Sequence, residues 1–295
     1  MITRRRLVSG AGAVVAGFTL VGTKAQATGE RLAQLGTDFA KIESDSGGRL
    51  GVAVLDTLTQ ARAAHRADER FPMCSTFKLL AAAAVLARVD AGKERLDRGI
   101  RFEARDVVVY SPITKERAGG EGMSLAELCE AAMIVSDNTA GNLLLATLGG
   151  PAGLTAYARA LGDAVTRLDR IEPDLGEAIA GDPRDTTSPA AMLSNLHALV
   201  LGNVLTATSK DQLTRWLLGN KTGDTRLRAG LPSGWRVGDK TGSGEHGTTN
   251  DVGIIWPPER APVLVSIYLT GTSVGAEQRN ATLAAVGRAV TSALD

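Results

Sequence analysis

The feature that most constrains this chain is an apolar run from Leu79 to Leu86, entered through the polar cluster Cys74-Ser75-Thr76 with a single lysine, Lys78, on the way in. Coiled into a helix, the run has no polar residue on any side, so it is predicted to be buried all round rather than along one stripe. The rest of the fold must then surround it. Lys78 is carried inward with it, and a buried ammonium is costly unless it is paired or neutralised. At 295 residues the chain can build such a surround as one large domain or two closely packed ones. Aromatic residues are only 4%, so the interior is expected to consist mainly of Ala, Leu and Val.

The N-terminal stretch carries Arg4, Arg5 and Arg6, then no charge from Leu7 to Thr23, then the small-residue sequence Ala25-Gln26-Ala27. This reads as an export signal over residues 1–27, and Thr3 to Val8 fits the twin-arginine type, which predicts a periplasmic or secreted protein. An uncleaved anchor is disfavoured because the segment is short and glycine-interrupted, so no stable membrane association is expected after processing. Removing residues 1–27 takes away Arg4, Arg5, Arg6 and Lys24 and no acid, moving the formal net charge from +1 to −3. Nothing in that balance invites nucleic acid. Cys74 and Cys129 match no metal spacing and sit in apolar helical context, which predicts two free, buried thiols. His65, His197 and His246 are scattered, so neither a metal nor another cofactor is expected.

A helix is predicted over Glu30 to Ser46, followed by an alternating strand from Arg49 to Leu55. Three further strands, Trp235 to Thr241, Asp251 to Trp256 and Pro262 to Leu269, are separated by short turns and read as an antiparallel meander. An amphipathic helix closes the chain from Ala276 to Leu294. Between these ends the pattern is mostly helical, with a capping box at Ser124 and Glu127 and a helix from Thr139 stopped at Gly149-Gly150-Pro151. The expected fold class is α/β plus all-α: an antiparallel sheet flanked by helices, with an inserted helical subdomain. Its α/β part is read as 28–67 and 221–295, its all-α part as 68–220, with a ligand cleft between them.

Three short elements could carry chemistry. Ser75 and Lys78 form S-x-x-K: the serine at a helix start, where the dipole favours an oxyanion, and the lysine one turn on, where it can take a proton. The same residues could instead be an N-cap and a snorkelling lysine. Ser136-Asp137-Asn138 falls in a turn between helices, equally readable as an Asx turn in which Asp137 caps the next helix. Lys240-Thr241-Gly242 ends a strand and continues into Ser243-Gly244, where glycines let a substrate lie alongside. Lys221-Thr222-Gly223 repeats the triplet but reads as a helix stop.

In the order S-x-x-K, S-D-N, K-T-G, these elements resemble the class A serine β-lactamases. Arg167-Leu168-Asp169-Arg170-Ile171-Glu172-Pro173-Asp174-Leu175 is similar to that family's Ω loop, here residues 167–185. The resemblance implies hydrolysis of penicillins and cephalosporins, and with it antibiotic resistance, by a monomer whose only partners are β-lactam substrates. Ser75 is then the nucleophile, Lys78 and Glu172 the candidate bases, the glutamate acting through a water, and Ser136 the proton donor to the leaving nitrogen. The N–H groups of Ser75 and Ser243 would hold the oxyanion, Asn138 the substrate's amide, and Lys240, Thr241, Gly242 and Ser243 its carboxylate end. Arg226 resembles the arginine that compensates for Thr249, Tyr110 the aromatic at the cleft mouth, and Arg170 with Asp185 the ion pair across the loop's neck. Gly176 stands where the family usually has an asparagine that orients the hydrolytic water, and Ala82 replaces the usual disulfide partner of Cys129. Two rivals share parts of this pattern: a penicillin-binding D,D-peptidase, and a β-lactam sensor that stays acylated.

Overall fold

The computed structural model describes residues 15–294, with side chains from residue 27 onward. The twin-arginine segment, residues 3–8, lies outside them. The first helix, α1 (Val15–Ser46), starts earlier than Glu30 and runs through the expected cleavage site, since no proline interrupts residues 15–29. It leads into β1 (Arg49–Asp56) and β2 (Arg62–His65), a short partner strand that the alternation did not reveal because Arg62 to His65 contains only one buried position. Then follow α2 (Phe77–Asp90), α3 (Leu125–Ile134), α4 (Asn138–Leu148), α5 (Gly150–Ala160), α6 (Pro189–Val200) and α7 (Ala207–Leu218). The chain returns to the sheet as β3 (Arg236–Ser243), β4 (Thr249–Trp256) and β5 (Val263–Thr270), and ends in α8 (Ala276–Leu294).

The sheet is antiparallel, in the order β2-β1-β5-β4-β3. Period-two alternation gives it two apolar faces. Leu50, Val52 and Val54 of β1, with Val263, Val265 and Ile267 of β5, meet Leu32, Leu35 and Phe39 of α1 and Leu283, Val286 and Val290 of α8. Ala53 and Leu55, Val252 and Ile254, and Leu264 and Tyr268 turn the other way, into the helical layer. At the centre of that layer every residue of α2 from Phe77 to Leu86 is buried, Lys78 included. The four alanines Ala81 to Ala84 favour helix and let neighbouring helices approach closely, and α3, α4, α5 and α7 pack around it.

Local signals set the helix ends. Ser124 Oγ accepts from the N–H of Glu127 (3.2 Å) while Glu127 Oε2 accepts from the N–H of Ser124 (2.7 Å), a complete capping box for α3. Gly149, at φ 90°, ends α4 as expected, but a further helix begins at once: Pro151, read as part of a stop, is a first-turn residue of α5, where its missing N–H costs nothing. A two-residue pairing, Phe71–Pro72 with Thr186–Thr187, joins the segment before Ser75 to the exit of the Ω loop. At Gly242, by contrast, a side chain would stand 2.8 Å from the carbonyl of Met73, so the close approach of β3 to this segment requires glycine.

Candidate active site

Ser75 was expected to open a helix; it lies instead in a 3₁₀ turn, Cys74–Thr76, one step ahead of α2. Thr76 causes the tightening, since its N–H (3.2 Å) and its hydroxyl (2.8 Å) both donate to the carbonyl of Met73. Cys74 takes φ 44°, an uncommon conformation for a side-chain-bearing residue, and Cys74 and Cys129 are both free and buried. Ser75 Oγ accepts from Lys78 Nζ (2.9 Å) and donates to Glu172 Oε1 (3.1 Å). The glutamate therefore touches the serine directly, closer than the one-water separation expected.

Lys78 Nζ also donates to the carbonyl of Ser136 (2.8 Å) and Oδ1 of Asn138 (2.6 Å), and stands 3.3 Å from Glu172 Oε1. Burial lowers its pKa, and the nearby Glu172 carboxylate opposes that shift. In the turn Ser136-Asp137-Asn138, Asp137 is the helix cap. Asp137 Oδ1 accepts from the N–H of Ala140 (2.9 Å), capping α4, and Oδ2 accepts from the N–H groups of Ile113 and Thr114, fixing the adjacent loop. Ser136, at φ 62°, thereby presents its hydroxyl to both lysines: Lys78 at 3.4 Å and Lys240 at 3.1 Å. Asn138 Nδ2 donates to the carbonyl of Val109 (3.0 Å), and Tyr110 beside it is 58% exposed at the cleft's edge.

Glu172 is buried, and a residue that the sequence did not single out holds it. Asn142, one turn past Asn138 on α4, accepts from the N–H of Glu172 and donates to its carbonyl, both at 2.9 Å. A lone asparagine inside a helix carries no sequence signal of such a clamp. The loop's neck is closed by Arg170 Nε donating to Asp185 Oδ2 (2.6 Å), and Asp185 Oδ1 also accepts from the N–H groups of Asp169 (2.8 Å) and Arg170 (2.9 Å). The peptide between Glu172 and Pro173 is cis.

On the opposite wall, Lys240 is fully buried and donates to the carbonyl of Thr241 (3.0 Å). Burial, reinforced by the charge of Lys78, pushes its pKa well down. Arg226 Nη2 donates to Ser243 Oγ (2.7 Å), and its Nη1 donates to the carbonyls of Gly242 and Asn250, both at 2.8 Å. Thr249 does face an arginine, but that residue is Arg279, whose Nε lies 3.1 Å from its hydroxyl. The repeat triplet is not the helix stop: α7 already ends at Gly219, and Lys221 and Thr222 line the cleft, with the Thr222 hydroxyl bonded to that of Thr241. The resulting cleft, about 500 Å³, gathers Ser75, Ser136, Asn138, Glu172, Thr241 and Ser243. A cavity of about 520 Å³ behind the Ω loop, lined by Arg49, Ile179 and His246 among others, contains none of these groups. Chemistry rather than volume picks out the site.

One hydroxyl thus stands between an ammonium and a carboxylate, with a second hydroxyl relaying between two lysines. That arrangement suits nucleophilic attack on a carbonyl followed by protonation of a leaving nitrogen. Known proteins are close to this chain in sequence and in fold. The family model "Beta-lactamase enzyme family" matches residues 34–294. The beta-lactamase AST-1 of Nocardia asteroides is 53% identical over 256 residues, 87% of this chain and 82% of the relative. The beta-lactamase L2 of Stenotrophomonas maltophilia is 45% identical over 297 residues, 98% of both chains. The solved structure of an ancestral (GNCA) class A beta-lactamase superposes with a TM-score of 0.87 at 63% identity, over 88% of this chain and all (100%) of that one. On sequence, fold and the extent of the match, this chain belongs to the beta-lactamase enzyme family, among its class A members.

Proposed function

We propose that this chain hydrolyses the amide bond of penicillins and cephalosporins through an acyl-enzyme on Ser75, and so confers resistance to them. The observation that carries the reading is the simultaneous contact of Ser75 Oγ with Lys78 Nζ (2.9 Å) and Glu172 Oε1 (3.1 Å). Because the hydroxyl donates to Glu172 while accepting from Lys78, Glu172 is the better placed of the two candidate bases in the resting enzyme. It takes the serine proton as Oγ attacks the lactam carbonyl. The N–H groups of Ser75 and Ser243 hold the oxyanion, each worth about 3 kcal/mol in such sites.

Ser136 then passes its proton to the leaving nitrogen and is reprotonated by Lys78 (3.4 Å), which takes up the proton that Glu172 gained from Ser75 (3.3 Å) and so returns Glu172 to a carboxylate before hydrolysis. Lys240, Thr241 and Ser243, beside Gly242, receive the substrate carboxylate, with Arg226 steadying Ser243. Asn138 accepts the amide side chain, and Tyr110 borders the entrance. Hydrolysis of the ester requires water activated by Glu172, which Asn142 and the Arg170–Asp185 pair keep in place.

This second half-reaction separates a hydrolase from a D,D-peptidase that penicillin inactivates and from a sensor that stays acylated. Mixed with a penicillin, Glu172→Gln keeps Lys78 (2.9 Å from Ser75 Oγ) as a base for slower acylation but has none for the hydrolytic water, so it should build up a persistent adduct on Ser75 by intact-protein mass spectrometry, while the parent protein returns to its free mass. Equal turnover by both proteins would remove the role given to Glu172.

The reading extends to the chain's organisation. The signal in residues 1–27 directs export by the twin-arginine route to the periplasm or medium. Residues 28–67 with 221–295, and 68–220, form two subdomains of a monomer that meet at the cleft. Among the described residues no helix is long and apolar enough to cross a membrane.

A further inference from the structure

On one face of the β3–β4 pair, two buried carboxyl groups are diagonal neighbours, since Asp251 pairs with Thr241 and Asp239 stands two residues before that threonine. Both side chains are wholly excluded from solvent, so two negative charges there would repel with no water to screen them. Two carboxylates offer only acceptors, so a direct bond between them exists only with a proton on one of the two. Their remaining partners say which. Asp239 is served as an anion: Oδ1 accepts from Arg228 Nε (2.8 Å) and Nη2 (2.5 Å), and Oδ2 accepts from Asn220 Nδ2 (2.8 Å). Asp251 Oδ2 accepts from the N–H of Leu227 (3.2 Å), while Oδ1 is buried without any donor. An ionised oxygen left so would be heavily penalised, whereas a carboxyl O–H can donate to Asp239 and be satisfied.

We infer that Asp251 is a neutral acid whose proton is shared with Asp239, and that it acts as a positioning residue for Arg226. The link runs through the backbone: Asp251 holds the N–H of Leu227, the residue next to Arg226, whose guanidinium carries Gly242, Asn250 and Ser243. The surrounding charges are Asp239 and Lys240 of β3, Arg226, Arg228 of the 3₁₀ turn Leu227–Gly230, and Arg279 of α8. With Asp251 neutral, the single anion of the pair is engaged by Arg228, and the charge of Arg226 stays directed at the cleft. Ionised, Asp251 would compete for Arg226 from behind. Burial and the neighbouring Asp239 favour the neutral form, and Arg226 opposes it.

Infrared difference spectra at pH 7 test the proton directly. The wild-type protein should show a protonated-carboxyl stretch that shifts on [13C]aspartate labelling and is lost in Asp251→Asn; a labelled wild-type spectrum without the band overturns the assignment. Should the variant not fold, the labelled wild type alone decides the point. The positioning role, which rests on the β-lactam reading, is tested by steady-state kinetics on benzylpenicillin. Wild-type KM should rise severalfold at alkaline pH with kcat little changed, and Asp251→Asn should lack that part of the rise, while titration of Lys240 affects both proteins alike. Superimposable KM profiles overturn the role. The infrared band does not depend on hydrolysis, so failure of the β-lactam reading would be seen separately, as absent turnover with the band intact.

Discussion

An ammonium group has three protons to donate, and Lys78 Nζ faces five oxygens: Ser75 Oγ, Ser136 O, Ser136 Oγ, Asn138 Oδ1 and Glu172 Oε1. Small rotations of that group redistribute its bonds, which suits a residue that hands protons along. Arginine cannot replace it. A guanidinium stays protonated, and a Cβ at Gly141 would already lie 2.8 Å from Lys78 Cε, so no room exists for a wider head. Lys78→Arg should lower kcat/KM on benzylpenicillin by about 10²-fold or more, the usual loss when proton transfer is removed. Asn142→Ala deletes both bonds to the Glu172 backbone, each worth about 1 kcal/mol net. It should slow deacylation more than acylation, measured as a rise in the steady-state fraction of acylated Ser75. Asp251 yields a pH dependence with a definite sign: its folded-state pKa is raised, so the native state holds a proton that the unfolded chain releases. Wild-type stability therefore falls, relative to Asp251→Asn, as pH climbs from the ordinary carboxylate range toward the raised value. Thermal melts across that range should show the wild-type melting temperature minus that of Asp251→Asn decreasing steadily.

Among the elements, the Ω loop depends on its neck and α2 on its lack of free space. Asp185 is 1% exposed on its side chain and Arg170 16%, so Arg170→Ala strands a buried carboxylate with only two backbone donors. Breaking such a pair costs about 3 kcal/mol or more, and limited proteolysis should cut the variant within 170–184 before the wild type. Ala82→Leu, on a fully buried face of α2, should cost about 1–3 kcal/mol by overpacking, read as a lower melting temperature. The elements that could be read from sequence were those with redundant signals. The capping box at Ser124, the alternation in β1 and the meander, and the amphipathic α8 each combine pattern with punctuation. Those that escaped were ambiguous locally. In β2, one buried residue gives no period, and Gly149-Gly150-Pro151 both ends one helix and starts another.

Over the whole molecule, the sheet lies between two apolar cores, the helical layer on one face and α1 with α8 on the other. Because β1, β4 and β5 contribute side chains to both, neither core can dissolve alone. Calorimetry should therefore give one unfolding transition, and Leu144→Ala in α4 and Val286→Ala in α8 should each lower that same transition by an amount equivalent to about 2–4 kcal/mol or less. The candidate site was legible to the extent that it is built from contiguous motifs. Ser75, Lys78, Ser136, Asn138, Glu172 and Lys240 stand in short patterns with recognisable chemistry. Asn142, Thr222 and Asp251 work through contacts made by distant segments, which no local pattern encodes. The pairing of Phe71–Pro72 with Thr186–Thr187, together with the N–H of Met73 donating to the carbonyl of Asp185 (2.9 Å), ties the nucleophile's turn and the base's loop to one frame. Asn250 of β4, whose Nδ2 donates to the carbonyls of Pro72 (2.9 Å) and Met73 (3.1 Å), fastens the wall bearing Lys240 and Ser243 to that same frame. Substrate thus meets a pocket whose sides keep their spacing as one piece, so warming should raise kcat while KM stays nearly flat until unfolding sets in.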